Sequence, residues 1–155
     1  MVWFNYALES AIIANITAQL IKVPIRLLIK REWRPHLIFS TGGMPSSHSA
    51  FVTALATAIA VTDGISSPTF ALAFCFAAVV IFDAMGIRRH AGQHAAMLNK
   101  MLDDLVTKGD FSVFQNPTYQ KRFKELLGHE PIETFCGTVY GIIVAIIYGL
   151  IAGIL

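Results

Sequence analysis

Charge is what this chain has least of: Asp, Glu, Lys and Arg together make up 14% of its 155 residues, where an ordinary soluble domain carries about 25%. The small excess of 12 Lys and Arg over 10 Asp and Glu, a net +2, comes with no basic tail. Nor is there an aromatic-basic repeat of the kind that tracks a nucleic-acid strand, so no nucleic-acid partner is expected. Cysteine is nearly missing too. Cys75 and Cys136 both fall inside apolar runs, where a thiol packs as a small hydrophobe, so no disulfide framework is implied and the redox compartment is left open. The N-terminus lacks a basic n-region, and no small-residue cleavage pattern precedes Lys22. The first apolar run is therefore expected to be a retained span and not a removed signal peptide. Internal repeats and low-complexity segments are also absent.

What the chain has is apolar length. Hydrophobic residues reach 55% and the mean hydropathy is +0.59, the composition of a membrane protein. At roughly 20 residues per crossing, the material allows four spans, expected at about 6–29, 46–62, 69–87 and 132–155. A surface segment of about 88–130 separates the last two. Its stripe of Met97, Leu98, Met101, Leu102 and Leu105, with Lys100, Asp103, Asp104 and Lys108 opposite, reads as an amphipathic helix. A second short one is expected over 119–127, closed by Gly128. The expected fold is an all-α integral membrane protein: one domain over 1–155, about four transmembrane helices, and one or two amphipathic helices in a long loop.

Polar residues gather in three places. The first is Ser40-Thr41-Gly42-Gly43-Met44-Pro45-Ser46-Ser47-His48-Ser49, a Gly-Gly turn leading into the small-residue second span. Unpaired amides and the positive end of a helix dipole suit a phosphate there, with Gly42, Gly43, Ser46 and Ser47 as contacts and His48 placed to donate a proton. The plainer alternative is a serine that only caps the helix. The second cluster runs from Asp83 to His94. In it Arg88 and Arg89 offer guanidinium forks, with about 100° between neighbours on a helix. Asp83, His90 and His94 share a face, but Asp83 is better explained as a partner for Arg88 or Lys22, and no metal or cofactor is expected. The third is His129-Glu130-Pro131-Ile132-Glu133, where His129 and Glu133 are four apart, so that a carboxylate could orient an imidazole. Lys22, on the first span with Arg26 four residues on, either snorkels to the headgroups or turns inward toward an anion.

Orientation follows from the basic loops. Lys30, Arg31 and Arg34 occupy the first loop, and Arg88, Arg89, Lys100, Lys108, Lys121, Arg122 and Lys124 the long one, while the turn at Asp63 and both termini hold none. The positive-inside rule puts both loops in the cytoplasm, with the termini on the opposite side and all three polar clusters on one face of the bilayer.

Lys22, Gly42 to Ala50, Asp83 to Gly92, Leu98-Asn99 and Leu126 to His129 with Pro131 together resemble the divergent branch of the type-2 phosphatidic acid phosphatase superfamily. That superfamily also takes in acid phosphatases and vanadium-dependent haloperoxidases. The resemblance spans about Lys22 to Gly141. It implies a metal-independent phosphatase or phosphotransferase acting on a lipid phosphate, with membrane lipids as its surroundings. His129 would be the nucleophile, Glu133 its orienter and His48 the acid. Lys22, Arg34, Arg88 or Arg89, Gly42, Gly43, Ser46 and Ser47 would hold phosphate, and Asp83, His90 and Asn99 would support them. The chain departs from the superfamily pattern at Ser47, which stands for a glycine, and at Glu133, which stands for an aspartate. The Lys22 to Arg34 separation is also longer, and the arginine of the third motif is shifted.

Overall fold

The computed structural model describes residues 5–31, 33, 42–108 and 130–155. Among them are five helices and no strand: α1 (Tyr6–Lys30), α2 (Ser47–Asp63), α3 (Pro68–Met85), α4 (Ile87–Lys108) and α5 (Pro131–Ile151). The protein is an all-α membrane protein. The short helix expected over 119–127, with Gly128, lies outside the described residues.

Local chemistry sets the helix ends. Asn5 caps α1, its side chain accepting from the Ala7 amide at 2.9 Å; Ser67 caps α3, accepting from the Phe70 amide at 3.1 Å, with Pro68 at the first helical position. Proline is tolerated there because that amide has no intrahelical acceptor anyway. Between α3 and α4 the backbone ladder nearly runs through. Gly86 donates to Phe82 at 2.9 Å and accepts from His90 at 3.0 Å, so the apolar helical stretch extends from Pro68 to Asp103.

Among the described residues, three stretches are long and apolar enough to cross a membrane: Tyr6–Leu28, Pro68–Asp103 and Pro131–Ile151. The second expected span, α2, has 17 residues, about 25 Å at 1.5 Å per residue, against a hydrocarbon core of roughly 30 Å. It is the central helix, packed against α1, α3 and α5. Its buried residues are Ser, Ala, Thr and Val throughout, which lets the neighbouring backbones come close.

The last helix answers with small residues at near-regular spacing: Thr134, Gly137, Gly141, Ala145 and Gly149 are its buried positions. Ala14 and Ala18 of α1, Ala50 and Ala54 of α2, and Ala145 form the core cluster, with Tyr140 and Val144 packed on it. Large apolar side chains point the other way. Leu72, Phe74, Phe76, Val79 and Phe82 on α3, and Phe135, Ile143, Ile146 and Ile147 on α5, are exposed. This is the inverse of a soluble bundle and what a lipid solvent favours.

The far end of the bundle is closed by a polar clasp between the start of α1 and the end of α5. Tyr6 Oη donates to the Ala145 carbonyl at 2.7 Å, Tyr148 Oη donates to Glu9 Oε2 at 2.5 Å, and the two rings stack with centroids 5.9 Å apart. In lipid, each of these groups would otherwise be an unsatisfied dipole or charge.

Candidate functional site

The site is built at the other end, where α1 finishes and α2 and α5 begin. The turn before α2 passes through Gly43 at φ 94°, a left-handed conformation that favours glycine, and then through a cis Met44–Pro45 bond. Ser46 is the N-cap of α2 and is fully buried. Its Oγ accepts from the Ser49 amide at 3.3 Å and from the Ser49 hydroxyl at 3.0 Å. A hydroxyl has two acceptor positions and one hydrogen, so with both acceptor positions taken Ser46 retains its hydrogen for donation. Ser46 thus caps α2, and the cap leaves that hydroxyl able to act as a donor.

The backbone of the turn is stitched to α5. The Ser46 amide donates to the Glu133 carbonyl at 2.9 Å, and Gly137, one turn along α5, lies directly against Ser46. A Cβ on Gly137 would stand 3.0 Å from the Ser46 nitrogen and nearer still to its carbonyl oxygen. One turn deeper, Thr53 Oγ1 donates to Ser49 O at 2.6 Å and to Thr138 O at 3.2 Å, and Gly141 abuts Thr53 and Ala50. These glycines let α2 and α5 meet backbone to backbone.

Into this junction comes Lys22. Its position four residues beyond Ala18 and eight beyond Ala14 puts it on the buried face of α1, and it is 2% exposed. The side chain turns inward and does not snorkel. Its stem passes the turn, with Lys22 Cδ 3.8 Å from where a Gly43 Cβ would be, and its ammonium lies close enough to Glu133 for mutual attraction. The Glu133 carboxylate also accepts from the Glu130 amide at 3.3 Å, part of the capping box that starts α5.

Lys22, Gly43, Ser46 and Glu133, from α1, the turn and α5, are thus brought together. Gly42 precedes Gly43 and is half-buried; Ser47, at the first position of α2, is 2% exposed, and its amide has no acceptor inside the helix. His48 follows, half-buried. Asp83 is half-buried in the last turn of α3, and Asn99 is buried on α4. His90 is exposed and shares a 3.2 Å contact between its Nδ1 and Gln93 Oε1, apart from the junction. Arg34 and His129 lie outside the described residues, as do the side chains of Arg88 and Arg89. Among the described residues no three His, Cys, Asp or Glu side chains gather as a metal site.

Two participants escaped the motif reading. Ser49 supplies the hydroxyl that holds Ser46, and Gly137 supplies the space for the turn. The signal for Gly137 is the recurrence of Gly137, Gly141, Ala145 and Gly149 every four residues, the small-residue spacing of a close helix contact.

The arrangement defines a class: a helical membrane protein with a cation buried beside a Gly-Ser turn at a helix N-terminus. The family model described as Divergent PAP2 family matches residues 3–144. A protein of Bacillus subtilis (strain 168) described as "Uncharacterized membrane protein YuiD" is 46% identical over 147 residues, 92% of this chain and 93% of that protein. No solved structure matches significantly. The chain belongs to the Divergent PAP2 family.

Proposed function

We propose that this protein is a membrane phosphatase or phosphotransferase acting on a lipid phosphate. The observation that carries the reading is the Lys22 ammonium, buried among apolar helices and held against the Gly43–Ser46 turn. That charge stands beside a helix N-terminus, whose free amides and dipole also favour an anion. A phosphoryl group resting on the turn would meet the Lys22 charge, the Ser46 hydroxyl hydrogen and the Ser47 amide together. Gly42, Arg34, Arg88 and Arg89 would complete the neutralisation of its oxygens.

In the proposed reaction a neutral His129 nitrogen attacks phosphorus. The new N–P bond replaces the bond to the lipid oxygen, which leaves with a proton from His48. Water then attacks the phosphohistidine, giving its proton to the now neutral His48 and releasing phosphate. Glu133 orients the nucleophile. The positive-inside rule puts this face in the cytoplasm, and reagent access to single cysteines placed at 33 and 65 in intact cells tests that.

A non-catalytic phosphate or phospholipid binder is favoured by one observation: Glu133 is already engaged by the Glu130 amide and by Lys22. Purified full-length protein in detergent, given a short-chain phosphatidic acid, separates the two readings. The enzyme reading expects phosphate release that His129→Ala abolishes, and full activity in that variant refutes the mechanism. The binder reading expects thermal stabilisation without turnover, lost in Lys22→Ala and retained in His129→Gln.

A further inference from the structure

A second space opens below the turn, on the side of α2 away from α1. It is a part-enclosed groove of about 480 Å³ between α2, α3 and α5, within the size range of small-molecule sites. Thr53 and Thr138 form its upper end, and Ala56, Ala60, Phe74 and Ala78 line it farther down. Among the described residues none that lines it is charged. The hydroxyls of Thr53 and Thr138 are taken up by backbone carbonyls, Thr138 Oγ1 donating to Thr134 O at 3.0 Å, so these two threonines present carbon to the groove.

We propose that this groove holds one acyl chain of the phosphorylated lipid whose headgroup sits at the Ser46 turn; the inference rests on the phosphate-site reading above. Three observations select a hydrocarbon chain. The walls include α3 and α5, helices apolar and long enough to cross a membrane, so lipid and not water is the medium expected around the groove. The lining is almost wholly carbon, with the Thr57 hydroxyl as its one further polar group among the described residues. The groove's upper end also lies close below the turn: Thr53 is one helical turn beyond Ser49, and Thr138 directly follows Gly137, which abuts Ser46. From Thr53 to Ala60 on α2 and from Ile81 to Phe70 on α3 the walls run about 10–16 Å at 1.5 Å per residue, room for roughly eight to twelve methylenes. Small residues on α2 and at Ala78 form the trough, and Phe70 and Phe74 stand at its far part, where they set the accepted chain length.

The test uses the full-length chain in a sterol-type detergent that has no linear tail, with inorganic phosphate and monoalkyl phosphates of four to sixteen carbons. Affinity is read from thermal stabilisation. Inorganic phosphate should bind, and affinity should rise about fourfold per methylene, the equivalent of its transfer from water, up to roughly twelve carbons, and then level. Ala78→Phe and Ala60→Phe, at positions partly exposed in the protein alone, should each flatten that rise and leave inorganic phosphate binding unchanged. If inorganic phosphate binds but both variants keep the wild-type chain dependence, the groove is not the chain site, while the phosphate site stands. If neither inorganic phosphate nor any alkyl phosphate binds, the phosphate-site reading fails and this inference fails with it.

Discussion

Replacing Gly137 by alanine adds one methyl group at the point where α5 touches the turn. The new Cβ would stand 3.0 Å from the Ser46 nitrogen and 3.1 Å from its carbonyl carbon, with the carbonyl oxygen closer again. These are backbone atoms, so no rotamer change relieves the clash and the helices must separate by several tenths of an ångström or more. Overpacking of this kind costs about 1–3 kcal/mol. Separation also stretches the 2.9 Å bond from the Ser46 amide to Glu133 O, worth about 1 kcal/mol and more if the buried amide is left unpaired. A total of roughly 2–4 kcal/mol corresponds to a melting-temperature drop of about 5–15 °C for a chain of this size. The measurement is thermal unfolding of purified protein in one detergent, with Ile147→Ala, at an exposed lipid-facing position, as the control expected to stay near wild type. A Gly137→Ala protein that melts with wild type would refute the backbone contact between α5 and the turn, and with it the geometry of the site.

Three further outcomes can be checked in the same preparation. Ser46→Ala removes the cap of α2 and the acceptor of the Ser49 hydroxyl, and unfolding should show a loss of about 1 kcal/mol. Tyr148→Phe removes the bond to Glu9 and should cost about 1–3 kcal/mol; adding Glu9→Gln should cost less than the sum of the single changes, because the two side chains share one interaction. Lys22→Ala should abolish the stabilisation that phosphate gives wild type, about 2.7 kcal/mol at a hundredfold excess over Kd.

Much of the architecture is legible before any coordinates, because apolar length reports directly on a membrane solvent: α1, α3 and α5 follow from runs of Leu, Ile, Phe and Val. Helix starts are legible for the same kind of local reason, as at Ser67-Pro68 and Glu130-Pro131. The inward turn of Lys22 is not, since a lysine at that depth can equally well snorkel, and only the packing of α1 on the turn decides. The contact between Ser46 and Gly137 is hidden further still. It joins positions far apart in the chain through a distance set by the approach of two backbones, and no single-helix periodicity encodes which glycine meets which loop. Ser49 was masked by its neighbours, the three serines among four residues at 46, 47 and 49 being interchangeable until the helix phase is known.

The clasp at the far end has a consequence for biosynthesis. Its two hydrogen bonds each join residues 139 positions apart, so the first helix and the last are mutual partners there, through Tyr6 with Ala145 and Glu9 with Tyr148. At about 5–20 residues per second, roughly seven to twenty-eight seconds pass between the synthesis of one member and the other. During that interval α1 carries a carboxylate and a phenol whose α5 partners do not yet exist. Arrival of α5 supplies both at once, so insertion of the last helix is the step that seats the first.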